Sequence, residues 1–199
     1  MGKTKRRGGE NKEHLRVPEV IVSPYPSAKA SVGDQGVVVA VSNGQAEGGI
    51  GAAAIVGVKG TASVGKYGIA VCGDGGKATA IWDGYAIAYD DGNATILSGD
   101  GGVAIARART RVSKISHGNA EACGKQGIAI TQHRGSARVG GAGGIAISMD
   151  KGSVQGVTGC LLIAKYMVST AKGEEDRFAV GIVGQDGLKS DISYVADGK

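Results

Sequence analysis

The sequence predicts an all-β protein: a two-sheet parallel β-solenoid with about 16 residues per coil and a small β cap at its C-terminus. One observation leads to the others. A glycine is followed two residues later by alanine, as in Gly60-Thr61-Ala62-Ser63-Val64 and Gly68-Ile69-Ala70-Val71-Cys72. The alanine recurs at positions 62, 70, 78, 86 and 94, a period of eight. A fixed period of this kind indicates a repeat architecture.

Each octad has the pattern of a short strand followed by a tight corner. Its residues alternate with the period of two that a strand requires. The connectors are rich in glycine, as in Gly65-Lys66-Tyr67-Gly68, and glycine tolerates the backbone angles of sharp corners. A glycine every few residues would cost a helix roughly 1 kcal/mol each. The octads are therefore predicted to be strands.

The outward-facing residues change character from one octad to the next. Ile69 and Val71 are apolar, Lys77 and Thr79 are polar, and the alternation continues along the chain. A meander of hairpins would mix both classes on one face. Two octads therefore form one coil, so that like strands stack on like strands. One sheet should present a polar outer face and the other an apolar one.

A thin core of small residues is expected between the sheets. The inward positions are mostly alanine, for example Ala54, Ala62, Ala78 and Ala86. Thr131 and Ser148 are polar exceptions, and we expect their hydroxyls to bond the nearby backbone.

Three segments are predicted: a basic flexible N-terminal segment at 1–26, the solenoid at 27–159 and the β cap at 160–199. Residues 15–22 are apolar enough to add a strand that caps the first coil. Treating Ala104 and Ala120 as members of consecutive strands preserves the alternation of faces, which makes residues 107–117 an excursion from the stack. From Cys160 the period stops and longer strands follow, as expected for an end cap.

Composition limits the function classes. The 199 residues include 37 glycines, and the net charge is a mild +5. The three cysteines have no ligand spacing, which favours a reducing compartment. We expect no secretion signal and no membrane span, and hence a cytoplasmic location, or the virion if a phage encodes the chain.

No motif of an enzyme is recognisable, so the sequence predicts no catalytic residues, no metal site and no cofactor. Asp74 and Asp90-Asp91 should stack on one edge, but the calcium-binding nonapeptide pattern does not recur. A carbohydrate-active β-helix would need paired carboxylates beside a groove. The polar face offers only Glu47 and Glu121, some five coils apart.

Basic residues concentrate in the excursion and the N-terminal segment. Alternate arginines in an extended chain align guanidinium groups along one edge, where they suit phosphates or carboxylates. A solvated loop that protects a sheet edge is the alternative. The candidates for binding nucleic acid, a nucleotide or an acidic protein surface are Arg107, Arg109, Arg111, Lys114, His117, Arg6 and Arg7.

The apolar face is the candidate interface for self-association as a dimer or trimer, because a flat strip of branched side chains left in water invites association. The alternative is that the N-terminal segment or the cap folds over it. The predicted interface residues are Val37, Val39, Ile55, Ile69, Val71, Tyr85, Ile87, Val103, Ile105, Ile128, Ile130, Ile145 and Ile147.

Residues from about 30 onwards resemble a family of phage and bacterial proteins of uncharacterised function. That family combines Gly-Asp-x-Gly-x-Ala-x-Ala arrays with a terminal Val-Gly-x-Asp-Gly-Ile-Lys-x-Asp-x-x-Tyr signature, matched here by residues 183–194. The array is also similar to trimeric autotransporter adhesin heads. Because enzyme motifs are missing and the repeat predicts a solenoid, we expect a non-enzymatic, homo-oligomeric structural or binding scaffold, and the resemblance implies a phage or bacterial origin. The alternatives are a virus-encoded inhibitor of a host defence or nucleic-acid-handling protein, acting through basic elements, and the carbohydrate-active β-helix.

Overall fold

The chain folds as two parallel sheets wound into a β-solenoid, as the sequence predicts. The fold is taken from a computed structural model, which describes residues 18–99, 101–106, 118–132, 134–149, 151–185 and 187–196. Within these residues every regular element is a strand, and no helix is present that could cross a membrane.

Sixteen strands build eight coils, and three more form the C-terminal end. They are β1 (Val20–Ser23), β2 (Lys29–Val32), β3 (Val37–Ala40), β4 (Gln45–Gly48), β5 (Ala53–Val56), β6 (Thr61–Val64), β7 (Ile69–Cys72), β8 (Lys77–Trp82), β9 (Tyr85–Ala88), β10 (Asn93–Ser98), β11 (Val103–Ala106), β12 (Asn119–Ala122), β13 (Ile128–Thr131), β14 (Ser136–Val139), β15 (Ile145–Ser148), β16 (Ser153–Gly156), β17 (Leu161–Thr170), β18 (Gly173–Ile182) and β19 (Ser193–Tyr194).

Odd-numbered strands and even-numbered strands form separate sheets. The first, here called the apolar sheet, has the order β1-β3-β5-β7-β9-β11-β13-β15-β17-β18; the second, the polar sheet, has the order β19-β16-β14-β12-β10-β8-β6-β4-β2. Consecutive coils stack in parallel and in register, with Val37 opposite Ala53 sixteen residues later. Two pairs of the described strands are antiparallel: β17 with β18, and β16 with β19. The two-octad coil predicted from the alternation of faces is confirmed.

The coils stack without interruption on either side of the excursion predicted between Ala106 and Gly118. Strand β11 pairs with β9 and β13 in the apolar sheet, and β12 pairs with β10 and β14 in the polar sheet. The strands that contain Ala104 and Ala120 are therefore consecutive halves of one coil, which confirms the predicted pairing. Residues 107–117 themselves lie outside the described residues.

Among the described residues, each corner between strands of the coils contains one residue in the left-handed conformation. At the third corner position the residues Gln35, Asn43, Gly51, Lys59 and Tyr67 have φ between 57° and 66°. The backbone N–H of each donates to a carbonyl of the next coil; the Tyr67 N–H, for example, lies 2.8 Å from the Trp82 oxygen. The fourth position is usually glycine because the chain is crowded there. A Cβ atom on Gly84 would lie 2.6 Å from the carbonyl oxygen of Gly68.

The core between the sheets is a column of small side chains. Ala54, Ala62, Ala70, Ala78 and Ala86 are all fully buried, as predicted. Thr131 and Ser148, stacked on adjacent strands, are the buried polar residues among those described. The Thr131 hydroxyl has no hydrogen-bond partner within the described part of the chain, which corrects the expectation that it bonds the backbone.

Both ends of the solenoid differ from the repeating coils. Strand β1 pairs in parallel with β3, so regular pairing begins at Val20, ahead of the boundary expected at residue 27. At the other end, the first four residues of β17 pair with β15 on one side, and all ten residues of β17 pair with β18 on the other side in an antiparallel hairpin. The cap is thus an outgrowth of the ninth coil.

Candidate functional site

The outward-facing side chains of the apolar sheet form two vertical columns, here called the apolar face. The register of the strand pairs aligns them across ten strands. The first column is Val20, Val37, Ala53, Ile69, Tyr85, Val103, Ile128, Ile145, Leu161 and Ile182. The second is Val22, Val39, Ile55, Val71, Ile87, Ile105, Ile130, Ile147, Ile163 and Val180.

All thirteen predicted interface residues lie in these two columns. The structure adds Ala53 and three further strands: β1 at one end, and β17 and β18 at the other. A sequence signal existed for β17, because Leu161 and Ile163 follow Ile145 and Ile147 by sixteen residues. The face gains β18 only through the antiparallel turn of the hairpin, which the repeat does not encode.

The apolar face remains open to solvent in the single chain. Seven of the twenty side chains are exposed, among them Val20 at 64%, Tyr85 at 51% and Val180 at 63%, and the other thirteen are half-buried. Ten strands at a spacing of ~4.8 Å give a strip roughly 43 Å tall. Neither the described N-terminal residues nor the cap covers it; both extend it. Exposed apolar strips of this size mark interaction surfaces.

One corner of the solenoid carries a group of exposed aromatic residues beside the first column. The Lys66 ammonium group lies 4.7 Å from the ring centroids of both Tyr67 and Trp82. Such cation–π contacts contribute about 0.5–1 kcal/mol each at exposed sites. Trp82 is the single tryptophan of the chain. No sequence pattern singled out this group, because its members come from different coils.

The polar face carries ladders of hydrogen-bonding side chains. The Asn119 amide donates to the Asn93 amide oxygen over 3.1 Å, and Arg138 forms an ion pair with Glu121 at 3.1 Å. These side chains, together with Lys77, line a shallow depression of about 410 Å³. The Arg138–Glu121 ion pair is exposed, so its contribution to stability is below about 1 kcal/mol.

The polar face does not bring two carboxylates together in the way that glycoside hydrolysis requires. Glu47 lies on β4 and Glu121 on β12, four strands apart in the sheet and not the five coils expected from the sequence, because β12 pairs directly with β10. The separation of the strands is therefore roughly 19 Å, whereas paired catalytic carboxyl groups lie about 5–10 Å apart. The described residues contain no cluster of three or more potential metal ligands.

Cys72 and Cys160 are fully buried core residues, whereas Cys123 is partly buried. Burial raises the pKa of the Cys72 thiol to about 12. The pKa of Cys123 is also raised, first by burial and then by the neighbouring Glu121 carboxylate. Both thiols therefore stay protonated near neutral pH, and a protonated thiol is a poor nucleophile.

The terminal signature closes the end of the solenoid. Val183 is buried, and its N–H donates to the Cys160 carbonyl over 3.0 Å. The Tyr194 hydroxyl accepts from the Lys189 N–H over 2.6 Å, which ties the last turn to itself. An apolar cleft of about 230 Å³ remains between this turn and the last coil, lined by Val154, Leu162, Ala164, Ala179, Val180, Gly181, Leu188, Tyr194, Val195 and Ala196. The signature thus has a structural role in the cap.

The predicted polyanion-binding residues Arg107, Arg109, Arg111, Lys114, His117, Arg6 and Arg7 all lie outside the described residues. Their binding role stays a prediction.

The fold and its two unlike faces define a repeat protein of the two-sheet β-solenoid class, with one outer sheet face apolar over its whole height. No protein-family model, no curated protein and no solved structure matches the chain.

Proposed function

We propose that this protein is a non-enzymatic structural or binding scaffold that assembles with itself through the apolar face. The observation that carries the proposal is the continuity of that face. Twenty outward positions on ten strands hold only Val, Ile, Leu, Ala and Tyr, with no charged residue among them.

The polar sheet carries charged residues at its outward positions, and this contrast indicates that the apolar character of the other face has been selected for a function. The equivalent outward positions of the polar sheet include Lys29, Glu47, Lys77, Glu121 and Arg138. Both sheets have the same backbone and the same alanine core, so the fold alone does not require an apolar exterior. Burial against an identical face removes apolar area from water at roughly 25 cal/mol per Å².

The phage or bacterial origin suggested by the resemblance remains part of this proposal, as does an acidic or nucleic-acid partner for the basic segments. A virion component, or an assembly in the host cytoplasm, is the setting in which such a scaffold would act.

The test is the mass of the full-length chain in solution, measured by light scattering coupled to size-exclusion chromatography over a range of concentrations. A dimer or trimer supports the proposal. A monomer at every concentration, without aggregation, contradicts it.

A further inference from the structure

The apolar face is uniform except at two positions of its first column. Tyr85 on β9 projects furthest, and Ala53 on β5 is the smallest residue. Ile69 on β7 lies between them, one strand from each. The face therefore carries one projection and one recess at equal distances from β7.

The corner beside the first column is centred on the same strand. Ile50 and Tyr67 lie in the corners that lead into β5 and β7, and Trp82 is the last residue of β8, next to the corner that leads into β9; they are 52%, 57% and 46% exposed. The corresponding tips of neighbouring coils are polar or glycine: Asp34 and Gln35 before β3, and Ser98 and Gly99 before β11. At these positions the exposed apolar side chains therefore group around β7, while Ile81 and Leu97, which are also exposed, lie one residue earlier in the chain, before the corners that lead into β9 and β11.

We propose that a second copy of this chain packs face to face on the apolar sheet about a two-fold axis that lies in the interface, runs parallel to the strands and passes through the level of β7. This inference rests on the proposed self-association and specifies its partner and register. The rotation reverses the solenoid axis but keeps the first column opposite the first column. It places β5 of one copy opposite β9 of the other, so that each Tyr85 enters the recess at Ala53 of the second copy.

The same rotation matches the corners. Ile50 of each copy lies at the level of Trp82 of the other, and the two Tyr67 side chains meet near the axis. In an isologous dimer of this kind, each of these contacts forms twice, once on either side of the two-fold axis. Tyr and Trp are also the residues that most often dominate the binding energy of interfaces.

The main alternative is a two-fold axis that lies in the interface and runs parallel to the solenoid axis. This arrangement overlaps all ten strands, but it places Tyr85 of one copy opposite Ile87 of the other and leaves both Ala53 recesses empty. A ring held against branched side chains separates the sheets nearby, and a gap of 0.5–1 Å already forfeits a quarter to a half of the dispersion attraction. The β7-centred arrangement overlaps seven strands, β1 to β13, without that loss.

The size of the contact explains why the aromatic corner belongs to it. Seven strands at ~4.8 Å and a strand width of roughly 13 Å give a footprint on the order of 400 Å² per copy. Stable interfaces bury about 800 Å² per partner. Tyr67 and Trp82 add large rings to each side, which brings the contact closer to that size.

The test is site-specific cross-linking in full-length protein that carries Cys123→Ser, since Cys72 and Cys160 are fully buried. Packed sheets lie ~10 Å apart, beyond the ~7 Å between Cα atoms that a disulfide allows, so a short bismaleimide is the probe. Val71→Cys on β7 faces its own counterpart and should give a covalent dimer in high yield. Ile147→Cys on β15 lies outside the contact and should stay unlinked. A mixture of Val39→Cys and Ile105→Cys should form the mixed dimer, because β3 faces β11.

The outcomes separate this register from the proposed self-association. A dimer in which Ile147→Cys links as well as Val71→Cys overturns the β7-centred register and leaves self-association standing. A trimeric mass also overturns the two-fold arrangement alone. A monomeric wild type overturns both.

Discussion

The methyl group of Ala52 occupies the space that a side chain at Gly48 would need. A Cβ atom on Gly48 would lie 2.6 Å from the Ala52 Cβ, a distance that real Cβ atoms do not adopt. Gly156 and Cys160 repeat the relationship at 2.8 Å. In most other coils the corner residue is glycine and the last inward residue of the strand carries a side chain. At Ala52 and Cys160 a corner residue with a side chain is therefore matched by a strand that ends in glycine, four residues earlier.

Gly48→Ala should therefore destabilise the fold, whereas the double variant Gly48→Ala, Ala52→Gly should recover most of the loss. The single variant overpacks a closed corner, at an expected cost of about 1–3 kcal/mol. The double variant restores the arrangement of the other coils. Urea unfolding of the wild type, both single variants and the double variant gives the coupling energy. Additive effects would show that the two residues do not share one space.

Ala78→Leu should cost much more stability than Thr79→Val, although the two positions are adjacent. Ala78 is fully buried in the thin core, and Thr79 faces outward on the polar sheet. Overpacking should cost at least about 1–3 kcal/mol, and each kcal/mol lowers the Tm by about 2–4 °C in a protein of this size. Thermal unfolding followed by circular dichroism measures both. Equal shifts would contradict the assigned facing of the strand.

Thr131→Val should leave stability unchanged or raise it. The buried Thr131 hydroxyl has no partner within the described residues, and an unsatisfied buried polar group costs about 1–3 kcal/mol. Valine has nearly the same shape and removes that cost. Thr79→Val on the exposed face is the matched control, with no such gain expected. A loss of more than about 1 kcal/mol in urea unfolding of Thr131→Val would mean that the hydroxyl is hydrogen-bonded in solution.

Ile87→Lys combined with Ile130→Lys should convert the oligomer to soluble monomer. Both side chains lie in the second column of the apolar face, and packing against an identical copy would bury their charges without partners. Thr79→Lys with Thr95→Lys places the same charges on the polar face and should leave the oligomer intact. Light scattering measures the mass of each variant. An unchanged mass for the double isoleucine variant would show that the apolar face is not the contact.

Replacing Arg107, Arg109 and Arg111 with Ser tests the polyanion hypothesis for the excursion. If these side chains bind phosphates, the Tm should stay unchanged while binding to RNA, DNA or anionic nucleotides is lost. The slope of binding affinity against salt concentration should also become shallower. Arg138→Ser on the polar face is a control of equal chemistry outside the excursion. Absence of binding by the wild type at low salt would leave the excursion as a solvated loop.

The repeat made the architecture predictable from local pattern alone. A period-eight alanine with alternating outward character determines which residues face the core, because side chains in a strand alternate between faces. The same pattern placed all thirteen predicted interface residues on one outer face and put the strands on either side of the excursion in consecutive halves of one coil. These features depend only on residues close in sequence, or one coil apart.

Only the tertiary structure shows which strand ends the apolar face and which side chains lie beside that face. Val180 and Ile182 join the apolar face because β18 folds back antiparallel on β17, a reversal that no repeat predicts. Trp82 and Tyr67 meet over Lys66 only because successive corners stack. The Thr131 hydroxyl lacks a partner because the close-packed core around it offers none among the described residues. Sequence periodicity determines the facing of each strand residue, whereas contacts between corners and at the chain end depend on the coil stack that brings distant residues together.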